Sequence, residues 1–520
     1  MKRRIVIFIS LVSAIVLWWA SAAYALPDTA EQDDRFGSSA ASGDFNGDGY
    51  ADLAAGVPYE DVGAATDAGA VNVTYGSAGG LAAAGAQLWH QDSGTVLDDA
   101  QEGDLFGASV AAADFNKDGF ADLAVGAPGE AVLASNGFDA GFAGAVQILY
   151  GSAAGLTDAG NQFWHQDSGT VADAVELGDA FGSALAAADF GGSSHADLAV
   201  GVVHEELGSG LFQAGAVNVL YGSAGGITDA GNQFWHQDSP GIADTAEHSD
   251  SFGARLTAGN FGSDSRADLA VTVFNESIGG VAGAGAVHVI YGSSSGLTSS
   301  GSQLWHQDSS GIADSAETWD HFGDSLAAAD LGKGTQDDLV VGVPYEDVGT
   351  VADAGAVHVI FGYSSGLISS GSQLWHQDSS GIQDTAEPGD LFGSALAAAD
   401  FGKSTKADLA VGVAAQNAAG GIVDAGAVHV IYAASDGLAA TGNAVWDQDS
   451  LGIADDAELY DFFGSVLTAG RFGLANQADL AAGVTTEDVG AVSDAGAVNV
   501  LYGAADGLAS AGNQFWHQDP

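Results

Sequence analysis

The chain has 520 residues, no cysteine, 77 glycines, and 11 basic against 68 acidic residues, a formal charge of −57. That balance excludes nucleic acid as a partner, because a polyanion would be repelled. Without cysteine no disulfide can hold the fold, so core burial and metal remain. Glycine at about twice its usual share of roughly 7%, beside seven prolines and one methionine, points away from long helices and toward a turn-rich all-β chain.

In chain order the first element is a leader. Met1-Lys2-Arg3-Arg4 precedes an apolar run from Ile5 to Ala20, and Ala23-Tyr24-Ala25 then forms a small-x-small site before Leu26. This is the layout of a secretory signal peptide, and the run falls short of the roughly 20 residues of a spanning helix. The expectation is residues 1–25 as signal peptide and 26–520 as one exported domain, secreted, on the cell surface or in a periplasm, with no stable membrane insertion after cleavage and a monomeric state. The acidity then reads either as a solvated coat that keeps the chain soluble or as adaptation to high salt.

The next element recurs. Phe-Gly, with Asp two residues earlier, begins at Phe36, Phe106, Phe181, Phe252, Phe322, Phe392 and Phe463, defining repeats that start near 34, 104, 179, 250, 320, 390 and 461. Each repeat holds four strand-like phrases, typified by residues 183–188, 197–202, 215–222 and 233–238. Four short strands per repeat make a propeller blade. The fold class is therefore all-β: a seven-bladed β-propeller of four antiparallel strands per blade. The small-residue first strand suits the crowded axis, and the Val/Ile/Tyr-rich third strand suits a blade buried between neighbours. Because the chain starts before a first strand and ends on a fourth, each blade is expected from one contiguous repeat, with no strand exchange and closure by packing.

Between the first two strands of repeat one stand Asp44, Asn46, Asp48, Tyr50 and Asp52, and in repeat two Asp114, Asn116, Asp118, Phe120 and Asp122. Oxygen side chains at positions 1, 3, 5 and 9, with a backbone carbonyl from Tyr50 or Phe120 at position 7, give the hard ligands that calcium takes. An EF-hand is excluded, since Ala55 and Val125 stand where it needs an acid. The other five hairpins keep the final Asp (Asp197, Asp268, Asp338, Asp408, Asp479), have Gly at position 3, and carry His195, Arg266, Gln336, Lys406 and Gln477 at position 7. Two calcium ions are expected, in the first and second blades. In the other five hairpins a side-chain cation or amide replaces the metal, and the retained Asp accepts backbone hydrogen bonds.

Phe36-Gly37, the calcium loop and Gly56-Val57-Pro58 together resemble the FG-GAP repeat of integrin α-chain propellers, over nearly all of the chain beyond the leader. Gly126-Ala127-Pro128 and Gly342-Val343-Pro344 repeat its second half, and Thr272-Val273-Phe274 departs from it. The resemblance implies a seven-bladed propeller, calcium on lower-face hairpins, and ligands bound by upper-face loops. No integrin ligand residue maps onto this chain.

The loops between strands two and three share the upper face with the blade linkers. They carry Glu60-Asp61, Glu130, Glu205-Glu206, Glu276, Glu346-Asp347 and Glu487-Asp488, read as solvated loop charges or as a rim for cationic or calcium-bridged ligands. Trp-His-Gln-Asp recurs from Trp89, Trp164, Trp235, Trp305, Trp375 and Trp516. Six copies favour Trp wedging between blades over catalysis by His. The reading is a secreted, non-enzymatic, calcium-binding recognition or adhesion module for an extracellular protein or glycan. A carbohydrate-active or other hydrolytic propeller and a structural surface-coat protein stand as alternatives.

Overall fold

A computed structural model describes residues 24–519, apart from 135, 136, 138, 209 and 263. The leader expected over residues 1–25 therefore lies almost wholly outside the described residues.

Each repeat folds into one antiparallel four-stranded sheet in sequence order. Blade one, for example, runs Ser39–Gly43, Asp52–Val57, Ala70–Tyr75 and Ala82–Trp89. The first strands touch one another in a closed ring, blade one against two and onward to seven against one, so these are the axial strands. That position explains their composition: Ser39-Ala-Ala-Ser-Gly43 leaves room where seven backbones converge. In every blade the second strand is buried along its whole length, and almost every residue of the third is buried too.

The core is a series of layers between blades. Seven apolar clusters each join one blade to the next, for example Val71, Val73, Tyr75 and Trp89 of blade one with Leu123, Val125, Ala127 and Leu149 of blade two. The layer that closes the ring joins Val498, Val500 and Trp516 to Phe36, Leu53 and Val57. Burying side chains of this size contributes roughly 1.5–3 kcal/mol each, so a blade is stabilised chiefly by its neighbours. The Trp residues of the repeated phrase take part in these layers, as the wedge reading requires.

The Phe of each Phe-Gly anchors these layers. Phe36 is 2% exposed and the other six are at 0%. Its backbone N–H donates to a carbonyl of the preceding blade, as in Phe106 to Ala68 at 2.8 Å and, across the closure, Phe36 to Ala495 at 2.8 Å.

Closure differs in one respect from packing alone. Tyr24–Ala25 forms a short strand parallel to Trp516 and His517, a fifth member on the outer edge of the seventh sheet. Leu26 is buried beside it, the Ala30 amide donates to Asp519 at 3.2 Å, and the Gln518 amide donates to Asp28 at 3.1 Å. The outer strand of the last blade leaves an edge free, and the chain start pairs with it because both lie at the same junction.

Candidate functional site

The hairpins of blades one and two are built on self-contained hydrogen bonding. Asp44 Oδ1 accepts from Gly47 N at 2.7 Å and Asp48 N at 3.0 Å, while its Oδ2 accepts from Gly49 N at 2.9 Å. Asn46 Oδ1 accepts from Asp48 N and Asp48 Oδ1 from Tyr50 N, both at 2.9 Å. Asp114, Asn116 and Asp118 repeat the pattern up to Phe120 N. The fourth position needs left-handed backbone, supplied by Gly47 at φ 73° and by Lys117 at φ 59°. The residues expected around the two ions thus fall in two tight loops, with Asp44, Asn46 and Asp48 and their counterparts Asp114, Asn116 and Asp118 toward the tip.

The ninth position faces inward. Asp52 is fully buried, with Oδ2 accepting from Phe45 N at 2.7 Å and Oδ1 from Gly76 N at 2.9 Å. Asp122 holds Phe115 N and Gly151 N in the same way. Burial, with the charges of Asp44 and Asp48 adding to it, pushes the Asp52 carboxyl up to about 7, and no basic side chain offsets this. An all-oxygen donor set of Asp44, Asn46 and Asp48 beside a carboxylate under like-charge pressure fits a hard divalent cation. Asp44, Asn46, Asp48 and the Tyr50 carbonyl would hold it at the tip, with Asp52 behind, and Asp114, Asn116, Asp118, Phe120 and Asp122 would do the same in blade two. The ion would tie the loop tip to the blade.

In the other five hairpins the final Asp also binds two backbone amides, as Asp197 does with Phe190 N and Gly222 N, both at 2.9 Å. Basic side chains reach several of them by differing routes. Burial pushes Asp479 and Asp408 up to about 7, and Arg471, in place of the first carboxylate, and Lys403 offset a part of that rise. Arg266 pairs with Asp264 of its own loop at 3.7 Å. Lys406 instead crosses to the neighbouring blade, donating to Asp330 Oδ1 at 2.7 Å.

The upper face overturns the reading of its glutamates as solvated charges. Glu60, Glu130, Glu205, Glu276, Glu346 and Glu487 are all buried, between 0% and 6% exposed. Each accepts the side-chain amide of the Gln in the preceding blade's Trp-His-Gln-Asp or equivalent phrase: Gln91 to Glu130, Gln166 to Glu205, Gln237 to Glu276, Gln307 to Glu346, Gln448 to Glu487, and Gln518 to Glu60 across the closure. In blade six Gln416 takes the Glu position and accepts from Gln377. Burial pushes these carboxyls far up, to about 9 for Glu130 and about 10 for Glu205. Their partners in the loop, Asp61, Asp347 and Asp488, are the exposed ones.

Between the upper loops of blades two and three opens a cavity of about 790 Å³, walled by Phe142, Leu177 and Phe212 and edged by Glu176, Asp179, His204 and Glu206. The three apolar side chains are 61%, 69% and 59% exposed. Phe142 ends residues 131–142, which lengthen the upper loop of blade two, Leu177 stands in the linker between the blades, and Phe212 comes from the upper loop of blade three.

A family model described as the FG-GAP repeat matches residues 36–73 and 106–149. The chain carries FG-GAP repeats. Curated relatives include phosphatidylinositol-glycan-specific phospholipase D of Bos taurus, 34% identical over 169 residues, which are 32% of this chain and 18% of that protein. Integrin alpha-3 of Cricetulus griseus is 32% identical over 178 residues, 33% of this chain and 14% of that protein. The similarity thus spans less than a fifth of either relative. Among solved structures, the Dos1 propeller aligns at a TM-score of 0.39 and 13% identity, over 79% of this chain and 84% of that one.

In this FG-GAP propeller the two halves of the motif meet across blade boundaries. A Cβ on Gly56 would collide with the carbonyl of Gly107, and one on Gly126 with that of Gly182. The Phe-Gly glycines themselves sit at positive φ, Gly107 at 92°. Where the motif departs, Thr272 fills the gap and its hydroxyl donates to Gly323 O at 2.7 Å.

Proposed function

We propose that this FG-GAP propeller is an exported, calcium-stabilised, non-enzymatic recognition module that binds an extracellular protein or glycan on its upper loop face. The cavity between blades two and three carries this reading. Three large apolar side chains stand exposed around one concavity of a highly acidic protein, and such patches mark binding surfaces. The integrin α-like repeats support the same face. Among the described residues no helix is long and apolar enough to cross a membrane.

Binding to an array of glycans and extracellular proteins, with calcium and with chelator, tests the reading. Saturable binding is expected, reduced at least tenfold in Phe142→Ser/Phe212→Ser, whose side chains are largely exposed and whose folding an unchanged melting temperature would confirm. Equal binding by the variant would remove the cavity from the function, and turnover of a glycan without retention would replace recognition by hydrolysis.

A further inference from the structure

In a chain of seven repeats, a position where one blade departs from the rest does not serve the shared architecture, and at the junction of blades four and five several such departures meet. Trp319 stands three residues before its Phe-Gly, where the other linkers carry Gly103, Gly178 and Gly389, or Asp33, Ser249 and Tyr460. Its backbone is left-handed at φ 71°, which suits glycine and strains a bulky residue, yet its side chain is 55% exposed. Burial therefore does not offset that strain. Gly283, in the upper loop of blade four, replaces Asp67, Asp353, Asp424 and Asp494 of other blades, and a Cβ there would fall 2.2 Å from Trp319 Cε3. The indole thus lies against bare backbone on one side and is open on the other.

The neighbouring rings are held in place. His321 stacks on Phe274 with centroids 4.1 Å apart and planes at 11°, and its Nδ1 lies 3.0 Å from Phe274 O. A carbonyl only accepts, so Nδ1 donates and leaves Nε2 as the acceptor of the neutral ring. Phe274 is itself a departure, standing where blades one, two and five have Pro58, Pro128 and Pro344. The His321 ring centre is 5.8 Å from that of Trp319 and 5.5 Å from that of Tyr345, which is also exposed. Burial, with the charges of Asp324 and Asp353, raises the Tyr345 hydroxyl above its ordinary pKa and Arg255 opposes them, which places this ring beside an ion pair. Arg255 Nη2 donates to Asp324 Oδ1 at 3.0 Å and its Nε to Asp324 O at 2.9 Å. Both partners depart from the repeat: other blades have Ser or Ala in place of Asp324, and Ser, Ala or Val in place of Arg255.

The strip thus alternates aromatic faces with hydrogen-bonding groups: indole, imidazole and phenol, then a carboxylate with its guanidinium. A sugar ring has the matching form, an apolar C–H face that stacks on aromatic rings and a rim of hydroxyls that both donate and accept. An anionic ligand is repelled by the charge of −57. Asp324, the acid beside the rings, is already paired with Arg255, so a cation is not selected either. We propose that the upper face at the junction of blades four and five binds a neutral glycan, stacked on Trp319 with its hydroxyls on His321 Nε2, Tyr345 and the Arg255–Asp324 pair. This site rests on the reading of the upper face as a recognition surface, but not on the cavity between blades two and three.

The test sets the natural chain, Trp319→Gly and Phe142→Ser/Phe212→Ser against immobilised neutral oligosaccharides of hexose and N-acetylhexosamine, beside sialylated and sulfated ones and extracellular proteins. Trp319→Gly copies Gly103, Gly178 and Gly389, so its melting temperature should not fall; Trp319→Ser, copying Ser249, serves where it does. The natural chain and the cavity variant should both retain neutral glycans, and Trp319→Gly should bind them at least tenfold more weakly. No retention of neutral glycans by the natural chain, or retention indifferent to Trp319, overturns the proposal. Retention lost in Phe142→Ser/Phe212→Ser but kept in Trp319→Gly moves the glycan to the cavity, which overturns this site while recognition stands. Preference for sialylated or sulfated chains, or capture of proteins alone through Trp319, overturns the neutral glycan as its ligand.

Discussion

The third strand of every blade carries a polar residue in the middle of a buried apolar phrase: Asn72, Gln147, Asn218, His288, His358, His429 and Asn499, all at 2% exposure or less. Burial holds the three histidines down at about 4, and both ring nitrogens of His288 and His358 lack a hydrogen-bond partner. A histidine neutral when folded binds a proton more readily when unfolded, near 6.5. Its contribution is therefore complete above about 6.5 and is lost as pH falls toward 4. Replacing all three with the Asn of blades one, three and seven should flatten the loss of stability over that interval relative to the natural chain, by an amount on the order of 10 kcal/mol in total, read from the pH dependence of the melting temperature. Parallel pH profiles for the two proteins would show that these rings do not control acid stability. These positions were not legible in the sequence, because an isolated polar residue between valines gives no sign of which face it meets. The same holds for the Gln of Trp-His-Gln-Asp, which draws less notice than its His yet makes the bond to the next blade.

At the level of the hairpin, the repeat was readable and the division of labour within it was not. The nine-residue spacing identified Asp52 and its six counterparts, but only three-dimensional packing shows that both oxygens of Asp52 are spent on the amides of Phe45 and Gly76. The second amide lies 24 residues on, in the turn after the third strand, beyond any local motif. Two substitutions should therefore separate. Asp52→Asn places an amide where one N–H needs an acceptor, and should cost about 1–3 kcal/mol in chelator as well as in calcium. Asp44→Asn also loses an acceptor for a backbone amide, but in a half-buried loop where water can replace it, so it should cost clearly less than Asp52→Asn in chelator while removing the calcium-induced rise, about 2.7 kcal/mol at a hundredfold excess over Kd. Thermal melts of both proteins in the two conditions decide it. Equal loss in chelator would mean that the tip too is structural, and an undiminished calcium response in Asp44→Asn would displace the metal from this loop.

Over the whole molecule, seven repeats at near-constant spacing made blade number and strand order legible, because a repeating unit that cannot cover its own apolar faces must stack on copies of itself. What spacing could not supply was the manner of closure, since the last junction is the one place where neighbours are distant in sequence. There the ring reuses every ordinary device. The Leu81 amide donates to Tyr502 Oη at 3.0 Å and the Gln514 amide to Leu81 O at 2.9 Å, as Leu156 and Gln87 do with blade-one and blade-two partners. Gln518 reaches Glu60 at 2.7 Å. The segment before blade one adds what no other junction has: the buried Leu26, which stays on the chain after the expected cleavage, and ahead of it the strand at Tyr24–Ala25, which that cleavage would remove. A ring with seven similar junctions unfolds first at the weakest, and only this one is not backed by a covalent linker. Leu26→Ser should therefore lower stability by about 1.5–3 kcal/mol, and the increased hydrogen exchange should concentrate in blades one and seven. Exchange raised evenly over all seven blades would instead show that the ring opens as a single cooperative unit, with the chain start adding stability but not guarding a seam.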